Sequence, residues 1–94
     1  MYYISMKRYY VIVKGQVQGV GFRWTAIQVA NLHGYTGWIK NMYNGNVEFE
    51  IQGKDLDIYQ YLQEIEKASY WIKINDYSQK EIAVVADEYS FRVR

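Results

Sequence analysis

Residues 7–34, KRYYVIVKGQVQGVGFRWTAIQVANLHG, contain the pattern that decides the fold of this chain. Lys7–Lys14 is rich in β-branched and aromatic residues, which is typical of a β-strand. A glycine-rich stretch follows, and then Phe22–His33 carries apolar residues at helical spacing and ends at Gly34, a residue suited to a left-handed helix cap. The segment therefore predicts a strand, a glycine-rich loop and a helix.

The middle of the chain predicts a hairpin and a second helix. Tyr35–Met42 and Asn46–Gln52 flank an Asn44-Gly45 turn, and the alternation of apolar and polar residues in the second segment indicates one buried face. Asp55–Ala68 carries apolar residues at positions i, i+3, i+4 and i+7 and therefore predicts a helix.

The last segment, Ile72–Arg94, holds two alternating stretches that predict a fourth strand and a short final one. The order is then βαββαβ with an extra C-terminal strand. Because crossover connections are right-handed, both helices are expected on one face of a mainly antiparallel sheet, which is the ferredoxin-like α+β sandwich. We expect residues 1–6 to be a flexible tail and residues 7–94 to form a single domain.

The composition excludes several classes of function. The chain has 94 residues, a formal net charge of +1 and no cysteine. The balanced charge does not favour a nucleic-acid or membrane-surface binder, and the lack of cysteine excludes disulfides, thiol chemistry and thiolate metal sites. No apolar stretch approaches the roughly 20 residues of a membrane span. We expect a cytoplasmic monomer.

The loop between the first strand and the first helix is suited to binding an anion. Glycines at 15, 19 and 21 allow backbone N–H groups to turn inward, and the helix that follows adds free N–H groups and a positive dipole end. Arg23 lies in the first helical turn, where a cation is unfavourable by about 0.3–1 kcal/mol unless an anion compensates for it. Its planar guanidinium matches two oxygens of a phosphate or carboxylate.

Two well-known phosphate motifs are absent from this loop. A dinucleotide-binding loop would need a glycine where Trp24 stands, and a nucleoside triphosphate loop would need a Gly-Lys-Ser/Thr ending. An alternative from the residues alone is that the glycines only form a tight turn and that Arg23 pairs with a surface carboxylate.

Two motifs at the right spacing resemble those of the acylphosphatases. They are GQVQGVGFR (Gly15–Arg23) and GYTGWIKNMYNGNVEFEIQG (Gly34–Gly53), and the similarity covers nearly all of the chain. The resemblance implies hydrolysis of the carboxyl-phosphate bond of small acyl phosphates to a carboxylate and inorganic phosphate, without a metal or another cofactor. It also implies a ferredoxin-like fold, in agreement with the order of elements above.

The resemblance assigns a role to particular residues. The family's phosphate-binding arginine corresponds to Arg23, and its water-orienting asparagine corresponds to Asn41. An amide can donate to a phosphoryl oxygen and accept from water but cannot remove a proton, so the substrate's own phosphate would act as the base. The backbone phosphate cradle corresponds to Gln16, Val17, Gln18, Gly19, Val20, Gly21 and Phe22.

Other residues support weaker hypotheses. His33, the only histidine, is expected to interact with the helix C-terminus rather than to act as a base or metal ligand. The many tyrosines and tryptophans are expected to fill the core, although exposed aromatics on a ferredoxin-like sheet could bind single-stranded RNA. The alternatives to an enzyme are therefore an anion-binding module with little turnover and an RNA-binding domain; neither a nucleic acid nor a membrane is the expected partner.

Overall fold

The computed structural model describes residues 5–94, and residues 1–4 of the predicted tail lie outside the described residues. The two helices are α1 (Phe22–His33) and α2 (Ile58–Ala68). The strands are β1 (Met6–Gln16), β2 (Thr36–Asn41), β3 (Val47–Lys54), β4 (Lys73–Ile82) and β5 (Phe91–Val93). Within residues 5–94, neither helix has the length and apolar character that a bilayer span requires.

The strands form one sheet in the order β4-β1-β3-β2-β5. β1 pairs antiparallel with both β3 and β4, and β2 pairs antiparallel with β3. The short β5 pairs parallel with β2 and extends that edge of the sheet. This arrangement confirms the predicted ferredoxin-like fold with an extra C-terminal strand.

The core lies between one face of the sheet and the two helices. Val11, Val13, Phe49 and Ile51 alternate along β1 and β3 with no exposed surface. The side chain of Tyr61 in α2 is also buried, and its hydroxyl donates to the Ala26 carbonyl of α1 at 2.7 Å. The helices are therefore held to the sheet by apolar packing and to each other by a buried hydrogen bond.

The predicted start of α2 at Asp55 is wrong by three residues. Asp55 has a φ of 55°, which lies outside the helical region, and Asp57 caps the helix by accepting from the Gln60 N–H at 3.1 Å. An aspartate that caps a helix stands before its first turn rather than inside it. The other boundaries lie within two residues of the predicted ones, and β1 begins at Met6, the last residue assigned to the tail.

The outer face of the sheet carries a buried ion-paired cluster. Arg8 is only 2% exposed, and its guanidinium donates to Glu50 at 2.8 Å, to Glu88 at 2.8 Å and to Gln52 at 3.2 Å. Gln52 also exchanges two hydrogen bonds with the backbone of Val85. The loop of residues 83–90 is thereby fixed against the sheet. We refer to Arg8, Glu50, Gln52 and Glu88 as the Arg8 cluster.

The expectation that the aromatic residues fill the core is wrong for many of them. Within residues 5–94, the buried aromatic side chains are Phe22, Phe49, Tyr61 and Phe91. A sandwich of this size has little interior volume, and branched aliphatic residues take most of it. The exposed aromatic side chains are Trp24, Tyr43, Tyr59, Tyr70, Trp71 and Tyr89.

Candidate active site

A pocket of about 350 Å³ lies where β1 ends and α1 begins. The loop between them forms its floor, β2 contributes its last residue, Asn41, and β5 contributes Val93. The topology explains this meeting point, because β5 pairs with β2 and also contacts α1. The lining residues are Val17, Gly19, Gly21, Phe22, Arg23, Trp24, Ile27, Asn41 and Val93.

The loop owes its shape to two glycines with left-handed backbone angles. Gly19 has a φ of 74° and Gly21 a φ of 80°, and a Cβ atom built on either would meet no atom within 4 Å. Glycine is therefore required for the backbone conformation and not for space. Residues that alternate between left- and right-handed angles turn their N–H groups to one side, which forms a concavity for an anion.

The first turn of α1 adds further donors to this concavity. The helix starts after Gly21, which has no side chain to cap it, and its first hydrogen bond runs from the Thr25 N–H to the Gly21 carbonyl at 3.0 Å. The N–H groups of residues 22–24 therefore precede the helical ladder. The first turn carries no acidic residue, so the positive end of the helix dipole is not offset there.

Arg23 brings a full positive charge to the same place. Its side chain is half-buried in the first turn of α1, and no ion pair joins it to any carboxylate in residues 5–94. The surface carboxylate that the alternative interpretation required is therefore not found in this part of the chain. A planar cation next to free N–H groups is suited to the oxygens of a phosphate.

Asn41 faces the pocket from the end of β2. Its Oδ1 atom is buried, and within the described part of the chain it accepts no hydrogen bond. Leaving a buried acceptor without a partner costs about 1–3 kcal/mol. The Oδ1 atom of Asn41, which lacks a partner within residues 5–94 and lies beside the positive charge of Arg23, is suited to accept a hydrogen bond from a bound water molecule.

Gln18 holds the loop against the turn that follows Asn41. Its Nε2 atom donates to the carbonyls of Met42 and Asn46, both at 2.7 Å. The sequence predicted a backbone role for Gln18 and missed this side-chain contact, which joins residues 24 and 28 positions apart. The side chain sets the position of the loop relative to the end of β2.

The structure brings most of the predicted site residues to one pocket. Arg23 and Asn41 line it together with four residues of the predicted cradle, which are Val17, Gly19, Gly21 and Phe22. The cradle residues Gln16, Gln18 and Val20 do not line it. The sequence reading missed three lining residues, Trp24, Ile27 and Val93. The sequence feature that could have indicated two of them is that Trp24 directly follows Arg23 and precedes Ile27 by about one helical turn.

His33 lies away from this pocket, at the last position of α1. Its Nε2 atom is 2.6 Å from the Glu64 carboxylate of α2, and its ring stacks on Tyr35 with centroids 4.9 Å apart. These contacts join the C-terminal end of α1 to α2, at the opposite end of the helix from Arg23.

Comparisons with known proteins point to one family. A family model described as Acylphosphatase matches residues 9–93. The chain is 39% identical to an acylphosphatase of Clostridium beijerinckii, over 95% of this chain and 99% of the relative, and 40% identical to one of Geobacillus kaustophilus, over 94% of each. The crystal structure of acylphosphatase from Bacillus subtilis superposes with a TM-score of 0.81 at 30% identity, over 94% of this chain and 98% of that one.

Proposed function

The chain belongs to the acylphosphatase family of hydrolases, which act on acyl phosphates, and we propose that its reaction is carried out by Arg23, Asn41 and the backbone amides of residues 16–22. The observation that carries this proposal is the shared pocket. In it, an arginine without an ion pair in residues 5–94, a buried Asn41 oxygen without a partner there and a positive-φ glycine loop face the same space.

The loop and Arg23 bind the phosphoryl group of the substrate. The inward N–H groups of the loop and the first turn of α1 donate to the phosphoryl oxygens, and the guanidinium supplies two parallel charge-assisted hydrogen bonds. Charge spreads over these same oxygens as phosphoryl transfer proceeds. Donors that are already oriented stabilise that charge without reorganising, which lowers the barrier.

Asn41 orients the water molecule that attacks phosphorus. Its free Oδ1 accepts a hydrogen bond from the water and so holds the water oxygen in line with the bond that breaks. An amide cannot take up the proton, and therefore a phosphoryl oxygen of the substrate receives it.

The reaction balances without a further reactant. Water forms a new bond to phosphorus, the bond between phosphorus and the carboxyl oxygen breaks, and the acyl group leaves as a carboxylate with that electron pair. The second product is inorganic phosphate, which carries the proton from water. Because a carboxylate is a good leaving group, positioning and charge stabilisation account for the catalysis, and we propose that no metal or cofactor takes part.

The test follows hydrolysis of benzoyl phosphate by the purified protein with a chelator present. We expect turnover to persist in the chelator and to be abolished in Asn41→Ala, whereas the affinity for inorganic phosphate measured by calorimetry changes little. Asn31→Ala is the matched control, because Asn31 is an exposed asparagine in α1 that does not line the pocket.

Three results would contradict this assignment. Turnover that is lost with the chelator and restored by a divalent cation would replace the proposed mechanism with a metal-assisted one. A loss of phosphate affinity in Asn41→Ala as large as that in Arg23→Ala would contradict the separate roles of water orientation and phosphate binding. An anion-binding module would bind phosphate and show no turnover in the unmodified protein.

A further inference from the structure

The pocket has a second, apolar side that the phosphate chemistry does not use. Trp24 is 68% exposed and Val93 is 50% exposed, and both line the pocket with the half-buried Ile27. Trp24 and Ile27 are three residues apart on α1, so they lie on one side of the helix, and Val93 belongs to the adjacent β5. We refer to these three residues as the apolar wall.

The apolar wall differs from the other exposed aromatic residues of the molecule. Single exposed apolar side chains are common and need no explanation. Trp71 is exposed to nearly the same extent, 66%, but it does not line this pocket. Trp24, in contrast, lines the same pocket as Arg23, the residue proposed to bind phosphate.

The lining of the pocket combines two polar side chains with the apolar wall. Arg23 is the only charged side chain among its lining residues, and Asn41 is the only uncharged polar side chain. An acyl phosphate combines the same two characters, with a dianionic phosphoryl group at one end and the acyl chain at the other. A second negative charge on the acyl group would meet no cationic side chain among the lining residues.

We infer that the apolar wall binds the acyl group, and that the preferred substrates are acyl phosphates with an uncharged aromatic or bulky apolar acyl group. This inference rests on the proposed function, since it takes the phosphate to lie against Arg23 and the loop. The exposed indole of Trp24 provides a flat surface on which an aromatic ring can stack, and Ile27 and Val93 flank it.

The experiment compares benzoyl phosphate with acetyl phosphate in the unmodified protein, Trp24→Ala and Trp71→Ala. The measured quantity is the ratio of the two kcat/KM values, corrected for the two uncatalysed rates. We expect this ratio to favour benzoyl phosphate in the unmodified protein and to fall about tenfold in Trp24→Ala, the size of effect that an apolar subsite gives. Trp71→Ala should leave the ratio unchanged, and Trp24→Phe should restore much of it.

A binding measurement separates this inference from the proposed mechanism. Phenylphosphonate and methylphosphonate share the phosphonate group and differ only in the apolar part. We expect the unmodified protein to bind phenylphosphonate more tightly by about tenfold, and Val93→Ala and Trp24→Ala to reduce that difference. Preferential binding of phenylphosphonate without turnover of either acyl phosphate would support the apolar wall and contradict the catalytic proposal.

Other results would contradict the inference about the apolar wall and leave the proposed catalytic mechanism intact. If acetyl and benzoyl phosphate are hydrolysed in the same corrected ratio by the unmodified protein and by Trp24→Ala, the acyl group does not contact the wall. Equal affinity of the unmodified protein for the two phosphonates has the same meaning. An equal loss on both substrates in Trp24→Ala, with the ratio preserved, would show that Trp24 only supports the shape of the loop.

Discussion

Arg8 and Arg23 lie in two regions of the molecule and differ in whether other residues of the protein pair with the guanidinium group. Arg8 lies on the outer face of the sheet, is 2% exposed and donates to two carboxylates and one amide. Arg23 lies at the start of α1, is half-buried and has no ion pair within residues 5–94. One arginine has every partner it needs inside the protein, and the other is available to a ligand.

Under the proposed function, this difference separates a structural cation, Arg8, from one that binds the substrate, Arg23. A buried guanidinium is tolerated only when carboxylates and hydrogen bonds compensate for its lost hydration, as in the Arg8 cluster. A guanidinium at a helix N-terminus without a carboxylate lowers stability slightly. Such a local conflict is expected where the missing anion is the substrate. Changes to the two regions should therefore separate stability from activity.

Among the changes that test this comparison of the two arginines, the largest effect is expected from Arg23→Ala. It should lower kcat/KM for benzoyl phosphate by about 10²–10³-fold, because it removes an oriented charge that stabilises the transferring phosphoryl group. The free energy of unfolding should stay within about 0.5 kcal/mol of the original value, because no internal ion pair is lost in the described chain. Steady-state kinetics and urea unfolding measure the two quantities.

Arg92→Ala is the control for this prediction, because Arg92 is an exposed arginine that does not line the pocket. It should change neither the activity nor the stability appreciably. If Arg23→Ala keeps its activity but unfolds at a lower urea concentration, Arg23 stabilises the fold as Arg8 does, and the proposed difference between the two arginines is wrong.

The second effect is expected from Arg8→Met, which keeps the length of the side chain and removes its charge. The carboxylates of Glu50 and Glu88 would then lie close together without a cation. We expect a loss of about 2–3 kcal/mol in the free energy of unfolding, below the 3–5 kcal/mol of a fully buried pair, because these carboxylates are partly exposed. The kcat of the folded variant should change less than about twofold, in contrast to Arg23→Ala.

The loss should be recovered in part when Glu50→Gln and Glu88→Gln are added to Arg8→Met, because the uncompensated charges are then removed. A large loss of kcat in folded Arg8→Met would mean that the sheet transmits the state of the Arg8 cluster to the pocket.

The sequence indicated Arg23 as a candidate and gave no indication of the Arg8 cluster, for a physical reason. The loop, the helix start and Arg23 are neighbours in sequence, so their chemistry can be read from local spacing. Arg8 meets Glu50, Gln52 and Glu88 across 42, 44 and 80 residues. Those contacts depend on the register of β1 against β3 and on the path of one loop, which no local pattern specifies.

The sequence also predicted only part of the lining of the candidate pocket. Asn41 was assigned only through the resemblance to the acylphosphatases, because nothing in its own surroundings distinguishes it from other strand-end asparagines. Val93 enters the pocket only because β5 pairs parallel with β2, and the sequence predicted a final strand without its partner. The helices and strands could be predicted from the spacing of apolar residues along the chain. The pocket is completed by the pairing of β5 with β2, which that spacing does not specify.

A smaller effect on activity is expected from Gln18→Ala, which tests whether a side chain outside the pocket lining positions the loop relative to Asn41. The substitution leaves the Met42 and Asn46 carbonyls without the Nε2 donor at 2.7 Å and frees the loop from the end of β2. We expect kcat to fall about tenfold through misalignment of the phosphate loop and Asn41. The free energy of unfolding should fall by about 1–2 kcal/mol.

The control is Gln28→Ala, at an exposed glutamine of α1 that should behave like the unmodified protein. Glutamate at position 18 would not restore these two hydrogen bonds, because its carboxylate would direct an acceptor at two carbonyl oxygens. Unchanged kcat in Gln18→Ala would mean that the loop holds its shape through its backbone alone.

The smallest effect concerns the acid stability of the Arg8 cluster. Burial acts to raise the pKa of the Glu88 carboxyl, but hydrogen bonds from Arg8 and Thr36 and the charges of Arg8 and Arg94 outweigh it and hold that pKa below its ordinary value of 4.5. A group whose pKa is lower in the folded state stabilises the fold above its unfolded pKa, and this contribution is lost as the pH falls through the folded value. Glu88→Gln removes the titration and keeps the shape.

We therefore expect the stability of the unmodified protein to decline more steeply below about pH 5 than that of Glu88→Gln, and the difference between them to be constant at neutral pH. Urea unfolding at a series of pH values measures it, with the exposed Glu81→Gln as a control that follows the unmodified protein. Because the Arg8 cluster and the pocket share no residue, kcat at any pH where both proteins are folded should be the same. If Glu88→Gln shifts the pH dependence of kcat under those conditions, the two arginines belong to one coupled system, and pairing within the protein no longer separates the stabilising arginine from the functional one.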